Sequence, residues 1–265
     1  MFRVLISRRW LGALAVALAF AAAAFLLGRW QWGRYEDKAA RANQINSHYN
    51  ATPRPIQDVL KVGPMPPSAE WTRVTMHGRY AVQSTLLVRN RPYQGNYGYE
   101  VVVPFADSSG STVLVDRGWV LNAQNAETLP SYPAAPSQDV TVTGWLRPSE
   151  PSLGRTMPDG QLASINLAEA SRAAGTPLAG AYVILQSERL PDGTAPARPV
   201  ALDPPDTDLG PNQAYAFQWW LGMVGGVVLV LFGARREYRE SLTGPSSTSS
   251  SSSAGAPPRS KPVKV

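Results

Sequence analysis

The chain has 265 residues, 44% hydrophobic and 17% charged, which fits one folded domain with additional segments and excludes a wholly disordered chain. A net charge of +6 raises nucleic acid as a partner, but residues 1–9 carry +3, residues 235–265 carry +4, and the stretch between them amounts to −1. The body is thus nearly neutral, with no basic patch for phosphate expected there, and the lack of cysteine removes disulfides, thiolate metal sites and cysteine nucleophiles.

Residues 1–9 form a short basic segment, expected in the cytoplasm. The run Trp10–Leu27 holds 18 residues without a charge, roughly 27 Å of helix, so residues 10–28 are expected to cross the membrane. Phe217–Ala234 is a second run of equal length, with residues 214–234 as the second span. Arginines flank the first run on its N-terminal side and the second on its C-terminal side, which places both termini in the cytoplasm and everything between the spans outside. The first run continues into "FLLGRWQWGRY" instead of a small-residue cleavage site, so it reads as an anchor and not as a cleaved signal peptide. Lysine is confined to Lys38, Lys61, Lys261 and Lys264 while arginine, Ala, Gly and Pro abound, pointing to a GC-rich bacterial genome and hence a bacterial plasma membrane.

Residues 29–52 are rich in helix formers, and either continue the first helix or form a separate juxtamembrane one, ending where Pro53 and Pro55 forbid continuation. From 53 to 187 a β-rich domain is expected. Its strand candidates are "WTRVTMHGRY", "TLLVRNRP", "YGYEVVVPF", "STVLVDRGWVL", "DVTVTGWLRP" and "AYVILQS". The polar turn "ADSSGS" makes the third and fourth a hairpin. Asn166 with Glu169 and Gly175 bound one short helix. The fold class is therefore two transmembrane helices flanking an antiparallel β barrel or sandwich-like extracytoplasmic domain with one or two short helices. Residues 188–213 read as an irregular tether, and 235–265 as a cytoplasmic tail, disordered from about 243, where serine dominates.

A conventional active site is hard to assemble. His77 shares the polar face of an alternating strand with Arg73, Thr75 and Arg79. His48 suits the C-terminal end of the juxtamembrane helix, where it could also act as a ligand. Asp203, Asp206 and Asp208 read as a solvated acidic linker, and metal-ligand spacings and phosphate-loop glycines are missing. No nucleophile–base pair supports a hydrolase, and the chain reads as a non-enzyme. In "VLVDRGWV", Asp116, Arg117, Gly118 and Trp119 suggest a bulge whose arginine either locks neighbouring strands or meets a ligand's propionate.

The two membrane lips carry the strongest signal. Trp30, Gln31 and Trp32 follow the first span, while Tyr215, Gln218, Trp219 and Trp220 open the second. Aromatics suit the lipid–water boundary, but the amides require a hydrogen-bond partner, either Gln31 with Gln218 across a helix pair or a polar group on another protein. Gly222, Gly225 and Gly226 add a small-residue strip that permits close approach of a helix.

Taken together, "LGRWQWGRYEDK", "WTRVTMHGRY", "LLVRNRPYQGNYGYEVVVPF", "VLVDRGWV" and "NQAYAFQWW" resemble, in order, the surfeit locus protein 1 family of cytochrome c oxidase assembly factors. The resemblance covers most of Leu27–Trp220. It implies two spans around an extracytoplasmic domain and a role in biogenesis of the haem-copper oxidase, with oxidase subunits and membrane lipid as partners and the cytochrome bc complex as a further one in a supercomplex. Some members are linked to delivery of haem a, and family members commonly carry a histidine ahead of the "YA.QW" motif. Asn212 stands there in this chain, and an amide is a poor axial ligand for haem iron. A haem-a chaperone would have to use Tyr215 or His48 as ligand and Arg117 for propionates. The leading expectation is a non-enzymatic assembly factor or accessory subunit without a cofactor of its own.

Overall fold

The computed structural model describes residues 7–125 and 128–242. Residues 1–6, and the tail expected to be disordered from about 243, lie outside them. A long helix α1 (Arg8–Tyr49) leads into a two-residue strand β1 (Arg54–Pro55), a helical turn α2 (Ile56–Val59), and strands β2 (Arg73–Tyr80), β3 (Leu86–Tyr93), β4 (Asn96–Asp107), β5 (Thr112–Leu121) and β6 (Val140–Arg147). Then follow β7 (Gln161–Leu162), helix α3 (Leu167–Ala174), β8 (Tyr182–Arg189) and a second long helix, α4 (Asn212–Leu242). The chain divides into two compact units: residues up to Arg34 together with those from Pro211, and Tyr35–Gly210.

In the first unit, α1 and α4 are each long and apolar enough to cross a membrane, and only 17% and 6% of their apolar stretches are buried within the molecule. Core helices of a soluble protein would be mostly covered. Residues 29–49 continue α1 without a break, and the helix stops ahead of Pro53. Small residues form the buried positions of the pair: Ala17, Ala24, Ala216 and Ala234 are each under 10% exposed.

The second unit is a barrel. β2 pairs with β6, β6 with β8, β8 with β5, and β5 with β4. The C-terminal end of β4 then returns to β2 at Gly78–Asp107, Arg79–Ala106 and Tyr80–Phe105, which closes the ring. All these pairings are antiparallel except β5 with β8. β3 and β7 extend the sheet from the N-terminal half of β4. Strand β2 shows the expected alternation: Val74, Met76 and Tyr80 are buried, while His77 is exposed with its Nδ1 2.9 Å from Thr141 Oγ1. In β4 and β5 the apolar runs Val101–Val103 and Val113–Val115 are buried on both faces, because the barrel core takes one face and α3 covers the other through Leu167 and Ala170. Asn166 caps α3 by accepting from Glu169 N–H, and Gly175 ends it in the left-handed region.

The end of α1 seats on the barrel wall. Ile45 packs with Trp71 and Trp145, and the Tyr49 ring stacks on Trp145 with centroids 4.2 Å apart. Trp145 Nε1 donates to Tyr49 O at 2.9 Å, and Gln44 Nε2 donates to Pro67 O at 2.8 Å. His48 Nδ1 lies 2.9 Å from Glu70 O. A carbonyl can only accept, so that nitrogen carries the proton.

Two bulges flank β4. Arg89 and Asn90 of β3 oppose Tyr99 alone, and Arg117 and Gly118 of β5 oppose Val101 alone. The second needs glycine, since Gly118 has φ 126° and a Cβ there would lie 2.3 Å from Val200 O. Val200 comes from the segment after β8, which is stitched to the barrel by two backbone hydrogen bonds with Trp119 instead of hanging free. Gly118→Ala should lower folding stability by about 2–3 kcal/mol through backbone strain and collision. Gly193→Ala, at φ 83° with open space around it, should cost about 1 kcal/mol. Unfolding midpoints of the purified variants test this, and equal losses would show that the Val200 contact is not limiting.

Candidate functional site

The first candidate lies at the lip of the helix pair. Successive residues of a helix turn by about 100°, so Ala216 and Trp220, one turn apart, face the same way. Ala216 is fully buried, and the Trp220 indole lies against Gly28, where a Cβ would come 2.2 Å from Nε1. Trp32 packs on Trp220 (centroids 5.8 Å apart) and edge-on to Phe217 at 5.9 Å. Deeper in the pair, Phe20 lies across Gly222 and Gly226, and Trp10 lies against Gly233, while nothing occupies the space over Gly225. Trp10 Nε1 donates to Glu237 at 3.1 Å.

Gln218 sits half a turn from Ala216 and is exposed, as are Trp30, Tyr215 and Phe217. The expected meeting of Gln31 with Gln218 is therefore not made. Trp220 takes the inward position, and Gln31 Oε1 and Trp220 Nε1 are buried with no hydrogen-bond partner. An amide oxygen and an indole N–H without partners in an apolar setting are costly. Trp219 is half-buried, one position further round the helix.

The second candidate is the set of charges that the bulges bury in the barrel unit. Arg117 is fully buried and engaged: Nη2 donates to Glu188 Oε1 at 2.5 Å and to Ala197 O at 3.1 Å, and Nη1 donates to Pro133 O at 3.0 Å. Tyr80 OH donates to the other Glu188 oxygen at 2.9 Å. Burial, then the Glu188 charge, pushes the Tyr80 phenol well above its usual range. This arrangement ties β5, β8 and two loops together, and Nε also donates to Glu188 at 3.3 Å, so four of the five guanidinium N–H donors are engaged inside the fold. Asp116, also buried, accepts from Gly118 N–H at 3.0 Å.

Beside it, Arg91 serves two carboxylates, Glu100 in an ion pair at 2.7 Å and both oxygens of Glu150 at 2.8 and 2.7 Å. One guanidinium cannot neutralise both. Burial raises Glu100 to about 7, the Arg91 charge opposing and the Glu150 charge adding to the shift. Burial, with Glu100 next in effect, pushes Asp116 well above the usual carboxylate range. The sequence signal for this group was a lone glutamate inside an apolar strand, "YGYEVVV", and it was missed because the arginine and second glutamate that meet it are remote in the chain. Among the described residues no group of three or more His, Cys, Asp or Glu could hold a metal ion.

A model of the SURF1 family matches residues 18–223. The chain belongs to the SURF1 family. It is 34% identical over 267 residues to an uncharacterized SURF1-like protein of Mycobacterium bovis and to one of Mycobacterium tuberculosis, covering 97% of this chain and 92% of each relative. Members of the family are generally cytochrome oxidase assembly factors.

A carboxyl whose folded pKa lies above its unfolded value holds its proton more tightly when folded. Its contribution to stability is full below about pH 4.5, the ordinary value, and is lost as pH rises through about 7. The purified chain should therefore lose at most about 3 kcal/mol between pH 5 and 8 from Glu100. Glu100→Gln should flatten that slope in denaturant melts at several pH values; an unchanged slope would show that Glu100 stays ionised in the fold.

Proposed function

We propose that this chain is a non-enzymatic assembly factor or accessory subunit of the haem-copper cytochrome c oxidase of a bacterial plasma membrane. It crosses twice, with both termini in the cytoplasm and the barrel unit outside, and docks through its helices and outer domain. The observation that carries the reading is the division of the lip: Ala216 and Trp220 are spent on pairing α4 with α1, while Trp30, Tyr215, Phe217 and Gln218 turn outward. Lipid accounts for outward aromatics. It does not account for the outward amide of Gln218, whereas a polar side chain on a neighbouring transmembrane segment satisfies such a group. Open space over Gly225 offers a further point of close approach. Contact with the cytochrome bc complex, within a supercomplex, is the extension of the same reading.

The haem-chaperone alternative has less support. Arg117 is held by Glu188 and two backbone carbonyls, and Asn212 replaces the family histidine, although His48, with Nδ1 on a backbone carbonyl, still offers Nε2. Tyr215 remains exposed. A mild-detergent pull-down with absorption spectra of the eluate tests both. Oxidase subunits should co-purify, and Gln218→Ala with Trp219→Ala should cut their recovery several-fold, about what 1 kcal/mol of lost contact produces. Unchanged recovery would reduce the lip to an interfacial anchor. A Soret band carried by the isolated chain and lost in Tyr215→Phe would establish the haem reading instead.

A further inference from the structure

Residues 148–160 contain neither helix nor strand. With the β3 bulge they line a pocket of about 410 Å³ whose walls include Arg89, Arg91, Glu150, Leu153, Arg155 and Met157. That volume lies in the usual range for small-ligand pockets, roughly 300–1,000 Å³.

The charges around it do not balance. Arg91 is committed to Glu100, 2.7 Å from its Nε in an ion pair, and to Glu150, whose Oε2 also accepts from Ile165 N–H at 2.8 Å. Arg89 and Arg155 have no carboxylate partner and no hydrogen bond among the described residues. Arg89, half-buried, makes only a face contact, its guanidinium 5.8 Å from the Tyr99 ring centroid. Elsewhere in the barrel unit Arg79 pairs with Asp139, Arg117 with Glu188 and Arg147 with Glu70, while Arg73, Arg189 and Arg198 bond to amide or backbone oxygens. Two like charges, the half-buried Arg89 and the exposed Arg155, thus line one pocket with no carboxylate bound to either among the described residues. An anion with two or more oxygens relieves this, because the guanidinium fork matches carboxylate and phosphate geometry. Leu153 and Met157 supply apolar contact for whatever body carries the oxygens. A cation would find only Glu150, already used.

We propose that this pocket binds a small oxyanion, a phosphate or carboxylate group held between Arg89 and Arg155. Such a group could be free in solution or be the headgroup of an acidic phospholipid, and the chemistry at the pocket is the same. The full chain in phosphatidylcholine nanodiscs, titrated calorimetrically with inorganic phosphate and glycerol phosphate, gives the test. Binding should be seen, and Arg89→Ala and Arg155→Ala should each weaken it about tenfold. Arg54→Ala, which removes another exposed and partnerless arginine from β1, away from the pocket, should leave it unchanged. Including phosphatidylglycerol in the nanodisc separates the sources. Competition with added phosphate identifies the lipid headgroup and its absence a soluble anion, both placing an oxyanion in the pocket. No binding in either setting, or equal loss in all three variants, overturns the proposal.

Discussion

Inside a bilayer two helices gain nothing by hiding apolar surface from each other, because the lipid is as apolar as they are. What remains is close packing and the few polar contacts that hydrocarbon cannot replace. The α1–α4 pair meets that constraint with aromatic rings laid on glycines: Trp220 on Gly28, Phe20 on Gly222 and Gly226, Trp10 on Gly233. Each ring fills the volume a side chain would have taken, so the contact is made of dispersion and fit. The three contacts recur along the pair, with alanines at other buried positions. The residues left out of this scheme, Tyr215, Gln218 and the turn around Gly225, are the ones for which a second protein is proposed.

The barrel unit solves a different problem. It has no disulfide and no resident metal cluster among its described residues to hold it, so it relies on a core of valines and on ring closure between β4 and β2. Within that core it buries Arg117, Glu188 and Asp116. A buried ion pair is weak evidence for stability, since desolvation offsets the attraction. Its value here is positional, because the same guanidinium reaches β8 and the carbonyls of Pro133 and Ala197. Bulges on both neighbours of β4 gather the remaining charges, and that gathering leaves Arg89 and Arg155 facing a common pocket.

Much of this architecture was legible in the sequence. Two uncharged runs, six β-prone segments, the "ADSSGS" hairpin and the Asn166–Gly175 helix all correspond to elements of the fold, because each is set by local periodicity or capping chemistry. β1, β7 and α2 were not legible, being too short to carry any period. The "DRG" interruption marked a bulge, since only a glycine tolerates φ 126°. It could not reveal that Glu188, 71 residues further on, receives the arginine. The lip failed in a different way. Composition named its residues, but helix rotation decides which of them turn inward, and Trp220 and not Gln218 does so. The tether after β8 looked structureless because it has little to bury, yet its backbone bonds at Val200 are invisible to side-chain patterning.

All of the functional reading requires that the barrel unit lie across the membrane from both chain ends. The natural absence of cysteine makes this directly measurable, since a single introduced thiol is the only one in the chain. Ser109, exposed in the β4–β5 turn, and Ser241, exposed at the end of α4, are suitable sites. The account predicts that Ser109→Cys is labelled in intact cells by a membrane-impermeant maleimide and that Ser241→Cys is labelled only after lysis. Protection of Ser109→Cys in intact cells, or labelling of Ser241→Cys there, would contradict it.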